Sequence, residues 1–162
     1  MQHFTFQPIG TIYTPHSSLE NMPIQPIGAE AAKGYILLKE EFVEGLKDLE
    51  GFTHLTLIYH LHKVTNYQMS VVPYMDDKAH GVFATRSPKR PNAIGLSTVK
   101  LVKVEDNKIF IEEVDMLDKT PLLDIKPFFR QFDNRMDARS GWLDEKDADL
   151  VLKTKSDNRF VE

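Results

Sequence analysis

Short β-prone runs separated by proline- and glycine-rich breaks recur along most of this chain, and only one segment carries apolar residues at helical spacing. Alternation and β-branched content predict strands over residues 4–13 (edged at Pro8), 34–38, 52–62, 82–85, 96–104, 109–114 and 122–126. Glu105-Asp106-Asn107-Lys108 is a hairpin turn between two of them. The helical exception is residues 40–49, where Phe42, Val43, Leu46 and Leu49 share a face that ends near Gly51. Strands this short and close, with so few helices between them, favour an antiparallel sheet curled into a barrel. A doubly wound α/β fold needs alternating helices that the sequence lacks. Its glycines also never form the Gly-x-Gly-x-x-Gly fingerprint of a Rossmann site.

A chain of 162 residues is one domain in size and can bury a core without disulfides. It has no cysteine, which removes disulfides, thiol nucleophiles and cysteine-based metal sites from consideration. No apolar run reaches the length of a membrane span, and the first residues lack a basic-then-apolar leader, so a soluble cytoplasmic protein is expected. A net charge of −4 argues against a broadly basic nucleic-acid coat and leaves room for a local basic patch.

Such a patch lies at residues 81–97, GVFATRSPKRPNAIGLS, where Arg86, Lys89 and Arg90 sit in a loop stiffened by Pro88 and Pro91. A preshaped cationic loop suits an anion, because little freedom is lost when the ligand arrives. Residues 14–32 form a long irregular segment with Pro15, Pro23, Pro26 and Gly28, and long loops in compact domains are often functional. On the strand at 52–62, Leu55, Leu57, Tyr59 and Leu61 share one face, while His54, His60 and His62 share the other. Two histidines at this spacing lack the further ligand that zinc requires, so no metal is expected. No serine sits in a nucleophile elbow. Asp115, Asp118 and Asp124 cluster late in the β-rich region, with turn capping as the plain role for Asp118 and surface solvation for Asp115.

The run 81–97 closely resembles the signature of the TsaA-like, or TrmO, family of tRNA methyltransferases. In order along the chain, residues 7–12 (QPIGTI), 23–26 (PIQP), 49–55 (LEGFTHL) and 117–127 (LDKTPLLDIKP) resemble further blocks of that family, so the likeness spans about residues 5–130. It implies an antiparallel β-barrel of the TsaA-like type, with one short helix and a C-terminal extension: a barrel domain over 1–135 and the extension over 136–162. It also implies S-adenosylmethionine as cofactor, a homodimer, and methyl transfer to N6 of threonylcarbamoyladenosine at position 37 of threonine tRNA.

By the same resemblance the cofactor pocket draws on Gln25, Pro26 and Ile27, on His62 and Lys63, on Arg86 and Leu96, and on Asp118, Lys119, Thr120 and Pro121. Arg86 is the natural partner for the cofactor's carboxylate, because charge-assisted bidentate contacts are strong. The acceptor nitrogen must lose a proton, for which Asp118, Asp124 and His62 are the candidate bases. Lys89 and Arg90 are assigned outward, to tRNA phosphates. Two departures stand out: Ala93 replaces a usual proline, and Lys119 a usual glycine, so a positive φ at 119 would be costly. Trp142 is expected to dock a terminal element onto the barrel or onto a partner subunit. The competing readings are a cofactor-binding barrel acting on another RNA or a small molecule, and a nonenzymatic RNA- or ligand-binding module.

Overall fold

The computed structural model describes residues 2–29, 32–157 and 159–160. Its strands are β1 (Gly10–Tyr13), β2 (Lys33–Leu38), β3 (His54–His60), β4 (Ser70–Val71), β5 (His80–Gly81), β6 (Ile94–Glu105), β7 (Lys108–Glu112) and β8 (Thr120–Pro127). Six of them close a barrel in the order β1-β2-β7-β6-β3-β8, with every pairing antiparallel, and β4 pairs with β5 outside it. The mainly β antiparallel barrel is therefore the fold. Alternation decides what fills it: Ile12, Ile36, Leu55, Leu57, Val99 and Ile109 point inward and are fully buried. No helix among the described residues is long and apolar enough to cross a membrane.

Closure of the barrel decides where the long loops go. Tyr13 pairs with Tyr35, His60 with Ile94, Lys33 with Glu112 and Ile12 with Thr120. The connections β1–β2, β3–β6 and β7–β8 therefore all leave the same end. The opposite end is sealed by the tight β6–β7 turn, with Asp106 at φ 52°, and by residues 39–53.

Three local expectations change. The first strand begins only at Gly10, because Pro8 has no N–H to offer the ladder; Phe4 and Phe6 before it are exposed. The segment predicted as an amphipathic helix is a 3₁₀ turn over Glu40–Leu46 and another over Leu49–Gly51, since the bridge across the barrel end is too short to nucleate an α-helix. The strand predicted at 82–85 is a 3₁₀ turn over Val82–Ala84. Its cause is Arg90, whose Nη1 donates to the carbonyls of Val82 (3.4 Å), Thr85 (2.8 Å) and Ser87 (3.2 Å) and winds the segment around itself. Beyond β8 the chain forms two short helices, α1 (Arg130–Asp133) and α2 (Ala148–Lys153).

Lys119 sits at φ 61°, a left-handed conformation that costs a residue with a Cβ about 1 kcal/mol. Lys119→Gly therefore removes strain, partly offset by the freedom glycine gains when unfolded. We expect calorimetry to give a gain of roughly 0.5 kcal/mol, a melting-temperature rise of about 1–2 °C. A loss of stability would mean that the Lys119 side chain contributes more than its backbone costs.

Candidate functional site

The three long connections and the C-terminal segment enclose a cavity of about 930 Å³ at the loop end of the barrel. That is in the upper range for small-molecule sites. It is lined by Tyr59 from the inner face of β3, by Leu96 and Thr98 from the outer face of β6, by Gln25 and Ile27 of the first connection and by Arg86 of the second. A smaller recess of about 70 Å³ adjoins it, lined by His62, Lys63, Thr120 and others. Tyr59, Leu61, Pro88 and Asp115 border both spaces.

Arg86 Nη1 donates to Gln25 Oε1 at 3.0 Å, which ties together loops 61 residues apart in the chain. Lodged between them is an inward-facing polar relay. Ser97 Oγ donates to Asp115 Oδ1 at 2.6 Å, so its one proton is engaged, and the Tyr59 hydroxyl donates to Ser97 Oγ at 2.8 Å. Burial pushes the Asp115 carboxyl up to about 6, although Ser97 and then Arg86 favour its charged form. Burial, followed by the neighbouring Asp115 charge, raises the Tyr59 phenol well above its ordinary value. His62 is shifted the other way: partial burial, and then Lys63, lower its pKa and favour the neutral imidazole.

The residues assigned from the sequence divide. Gln25, Pro26, Ile27, Arg86 and Leu96 line the large cavity, and His62, Lys63 and Thr120 line the recess. Asp118, Lys119 and Pro121 line neither. The Asp118 carboxylate is occupied by the Thr14 N–H at 3.1 Å, while its own N–H donates to the His16 carbonyl, so it fastens the β7–β8 turn to the start of the first connection. Pro121 pairs with Thr11 in the barrel wall. Asp124 lies outside both spaces and is ion-paired to Lys126 at 2.9 Å. Lys89 and Arg90 do not face outward as expected. Lys89 is buried, and Arg90 is spent on the carbonyls of its own loop, because a tight loop with few internal N–H bonds needs a donor to satisfy them. Among the described residues no group of three or more His, Asp or Glu is placed to hold a metal ion.

Two contributions escaped the sequence reading. Asp115 was assigned to solvent, yet it reaches into the cavity; Ser97, a polar residue at an inward position of β6 between Gly95 and Val99, was the signal pointing to a partner there. The other is the C-terminal segment, whose Ser140, Trp142, Leu143, Ser156 and Phe160 line the cavity. Trp142 docks its segment onto the β3–β6 connection rather than onto the barrel: its indole stacks on His80 at 4.7 Å and donates to the Ala84 carbonyl at 2.8 Å. Asp76 accepts from His80 and Lys146, both at 2.9 Å, and these two hold its carboxyl below the usual carboxylate range. Further on, Ser156 binds the backbone of Leu19 and Met22, so the segment clasps the first connection to the rim.

The donor set fits a molecule with a carboxylate, a cationic centre and a flat heteroaromatic ring. Arg86 supplies a cation, Glu113 supplies a carboxylate, and Ile24, Leu61 and Leu96 supply apolar walls.

Known proteins share this architecture. The family described as the tRNA-methyltransferase O N-terminal domain matches residues 11–134. A probable S-adenosyl-L-methionine-binding protein of Pyrococcus abyssi is 47% identical over 96% of this chain and 84% of its own length. The tRNA (adenine(37)-N6)-methyltransferase of Mus musculus is 36% identical over 79% of this chain, but the match spans only 31% of the mouse protein. The crystal structure of TrmO from Pseudomonas aeruginosa superposes with a TM-score of 0.74 at 37% identity, covering 88% of this chain and 63% of that one.

Proposed function

The chain belongs to the tRNA-methyltransferase O family, and from that premise we propose that it is a methyltransferase that binds S-adenosylmethionine in this cavity and modifies tRNA. The acceptor is N6 of threonylcarbamoyladenosine at position 37 of threonine tRNA, and the working form is a homodimer. The observation that carries the reading is the 3.0 Å bond between Arg86 and Gln25, because it brings the signature loop and the early proline loop to one cavity of suitable size.

S-adenosylmethionine, when bound, supplies an electrophilic methyl group on sulfur. The residues of the chain do the rest by position. Arg86 takes the amino-acid carboxylate, with Gln25 steering the guanidinium. His62 and Lys63 present further donors in the recess, and Leu96 and Leu61 cover an adenine face. Aligning acceptor and donor accounts for much of the acceleration of such an in-line displacement. Lys89 and Arg90 shape the loop that carries Arg86 rather than meet phosphates.

S-adenosylmethionine and S-adenosylhomocysteine should each raise the melting temperature, as any ligand specific to the folded state does. Arg86→Ala should weaken both about 10- to 100-fold, the usual range for a hydrogen bond to a charged group. Methyl transfer should require threonine tRNA bearing the threonylcarbamoyl group. Transfer to unmodified tRNA would instead favour another RNA acceptor, and no thermal shift with either ligand would remove the methyltransferase reading.

A further inference from the structure

We propose that Asp115 is the general base of this enzyme, taking the proton that the acceptor nitrogen gives up, with Ser97 and Tyr59 as the residues that position its carboxylate. The assignment rests on the methyltransferase reading above. The N–H proton of the acceptor must leave as the N–C bond forms. While the methyl–sulfur bond breaks, sulfur keeps the bonding electrons and the proton passes to the carboxylate. One positive and one negative charge vanish together, a change that a low-dielectric site favours.

Placement selects Asp115 from the alternatives. Among the described residues it is the acidic side chain that borders both the large cavity and the recess. Asp118 already holds the Thr14 N–H, and Asp124 lies outside with Lys126. Glu113 borders only the large cavity, from a left-handed backbone position (φ 65°). His62 borders only the recess. The bond from Ser97 engages Oδ1 and orients the Asp115 carboxyl towards the cavity it borders. Tyr59 in turn fixes Ser97 from the opposite strand. The charged and titratable groups around Asp115 are Tyr59 on β3, Arg86 on the second connection, Glu113 beside it, and His62 and Lys63 across the recess. Its carboxyl titrates near 6, which makes it a stronger base than an ordinary carboxylate and still ionised at neutral pH.

The test uses the full chain and threonine tRNA carrying threonylcarbamoyladenosine. Asp115→Asn should bind S-adenosylhomocysteine within about threefold of the unmodified protein, while single-turnover methyl transfer falls 10²- to 10³-fold. The rate of the unmodified protein should rise with pH through about 6, and that limb should vanish in Asp115→Asn. Ser97→Ala removes a donor to the ionised form, so it should move the limb to higher pH; a merely structural serine would lower the rate without moving it. Carbon NMR of the cofactor-free protein should find a carboxyl titrating near 6 that Asp115→Asn deletes, a readout independent of turnover. Transfer by Asp115→Asn within threefold of the unmodified protein, or an unmoved limb in Ser97→Ala, overturns the assignment. If the unmodified protein binds cofactor yet methylates no tRNA, the methyltransferase reading fails and takes this one with it, an outcome recognisable because no variant is involved.

Discussion

Gly95→Ala should unfold at a melting temperature roughly 10 °C below that of the unmodified protein and should lose most of its stabilisation by S-adenosylhomocysteine. Gly95 of β6 faces Tyr59 of β3 across the ladder, and the tyrosine ring lies over it. A Cβ built at position 95 would stand 2.1 Å from Cε2, 2.5 Å from Cζ and 2.7 Å from Cδ2 of that ring. The ring cannot move aside cheaply, because Tyr59 is buried and its hydroxyl is held by Ser97 at 2.8 Å. Overpacking of this kind costs about 1–3 kcal/mol, and loss of the buried hydrogen bond adds about 1 kcal/mol. Together these approach a third of an ordinary domain's stability. A double-mutant cycle isolates the cause: Gly95→Ala should cost little once Tyr59→Ala has removed the ring. If Gly95→Ala alone costs less than about 1 kcal/mol, the glycine is not there to admit the tyrosine.

Asp115→Asn should be more stable than the unmodified protein above pH 6, even as it loses activity. The sign follows from the shift. The carboxyl ionises near pH 4 when unfolded and at about 6 when folded, so between these values the folded state holds the extra proton. Stability then falls as pH rises from 4 to 6, and above 6 the full penalty of a buried charge is present. About two pKa units correspond to roughly 3 kcal/mol, an upper value for what the neutral amide recovers. Scanning calorimetry at pH 8 should give a gain of about 5 °C or more that closes below pH 4. The rate is expected to have the opposite dependence, rising with ionisation of the same group. Stability sacrificed at a reacting centre is a familiar trade-off. Equal stability of the two proteins at pH 8 would mean that the carboxylate is solvated, not buried.

Both effects meet on a relay that was only half legible in the sequence. The inward face of β3, with Leu55, Leu57 and Tyr59, follows directly from alternation, and the structure buries all three. Ser97 occupies the matching inward face of β6, but that register requires knowing that β3 pairs with β6 across a 33-residue connection. Asp115 was harder still. It lies in the irregular turn between β7 and β8, where no period assigns a face, and its plain reading was solvation. Lys89 and Arg90 failed for a different reason. Charge invites an outward assignment, whereas the stiff loop's own carbonyls form a sink for Arg90 that only the folded backbone creates. The 3₁₀ turn at Val82–Ala84 has the same origin, while at Glu40–Leu46 helix propensity is overruled by the span the segment must bridge.

The sequence by itself determined the β-barrel, the shared face of Leu55, Leu57 and Tyr59, the hairpin turn at Asp106-Asn107 and the family to which the chain belongs. These depend on local periodicity and on motifs contiguous in the chain. Only the tertiary structure decided which loops share a cavity, that Asp115, Ser97 and Tyr59 form one relay, and that the C-terminal segment completes the rim. Those are consequences of barrel closure, which places three distant connections at one end and joins residues whose separation along the chain carries no information about their contact.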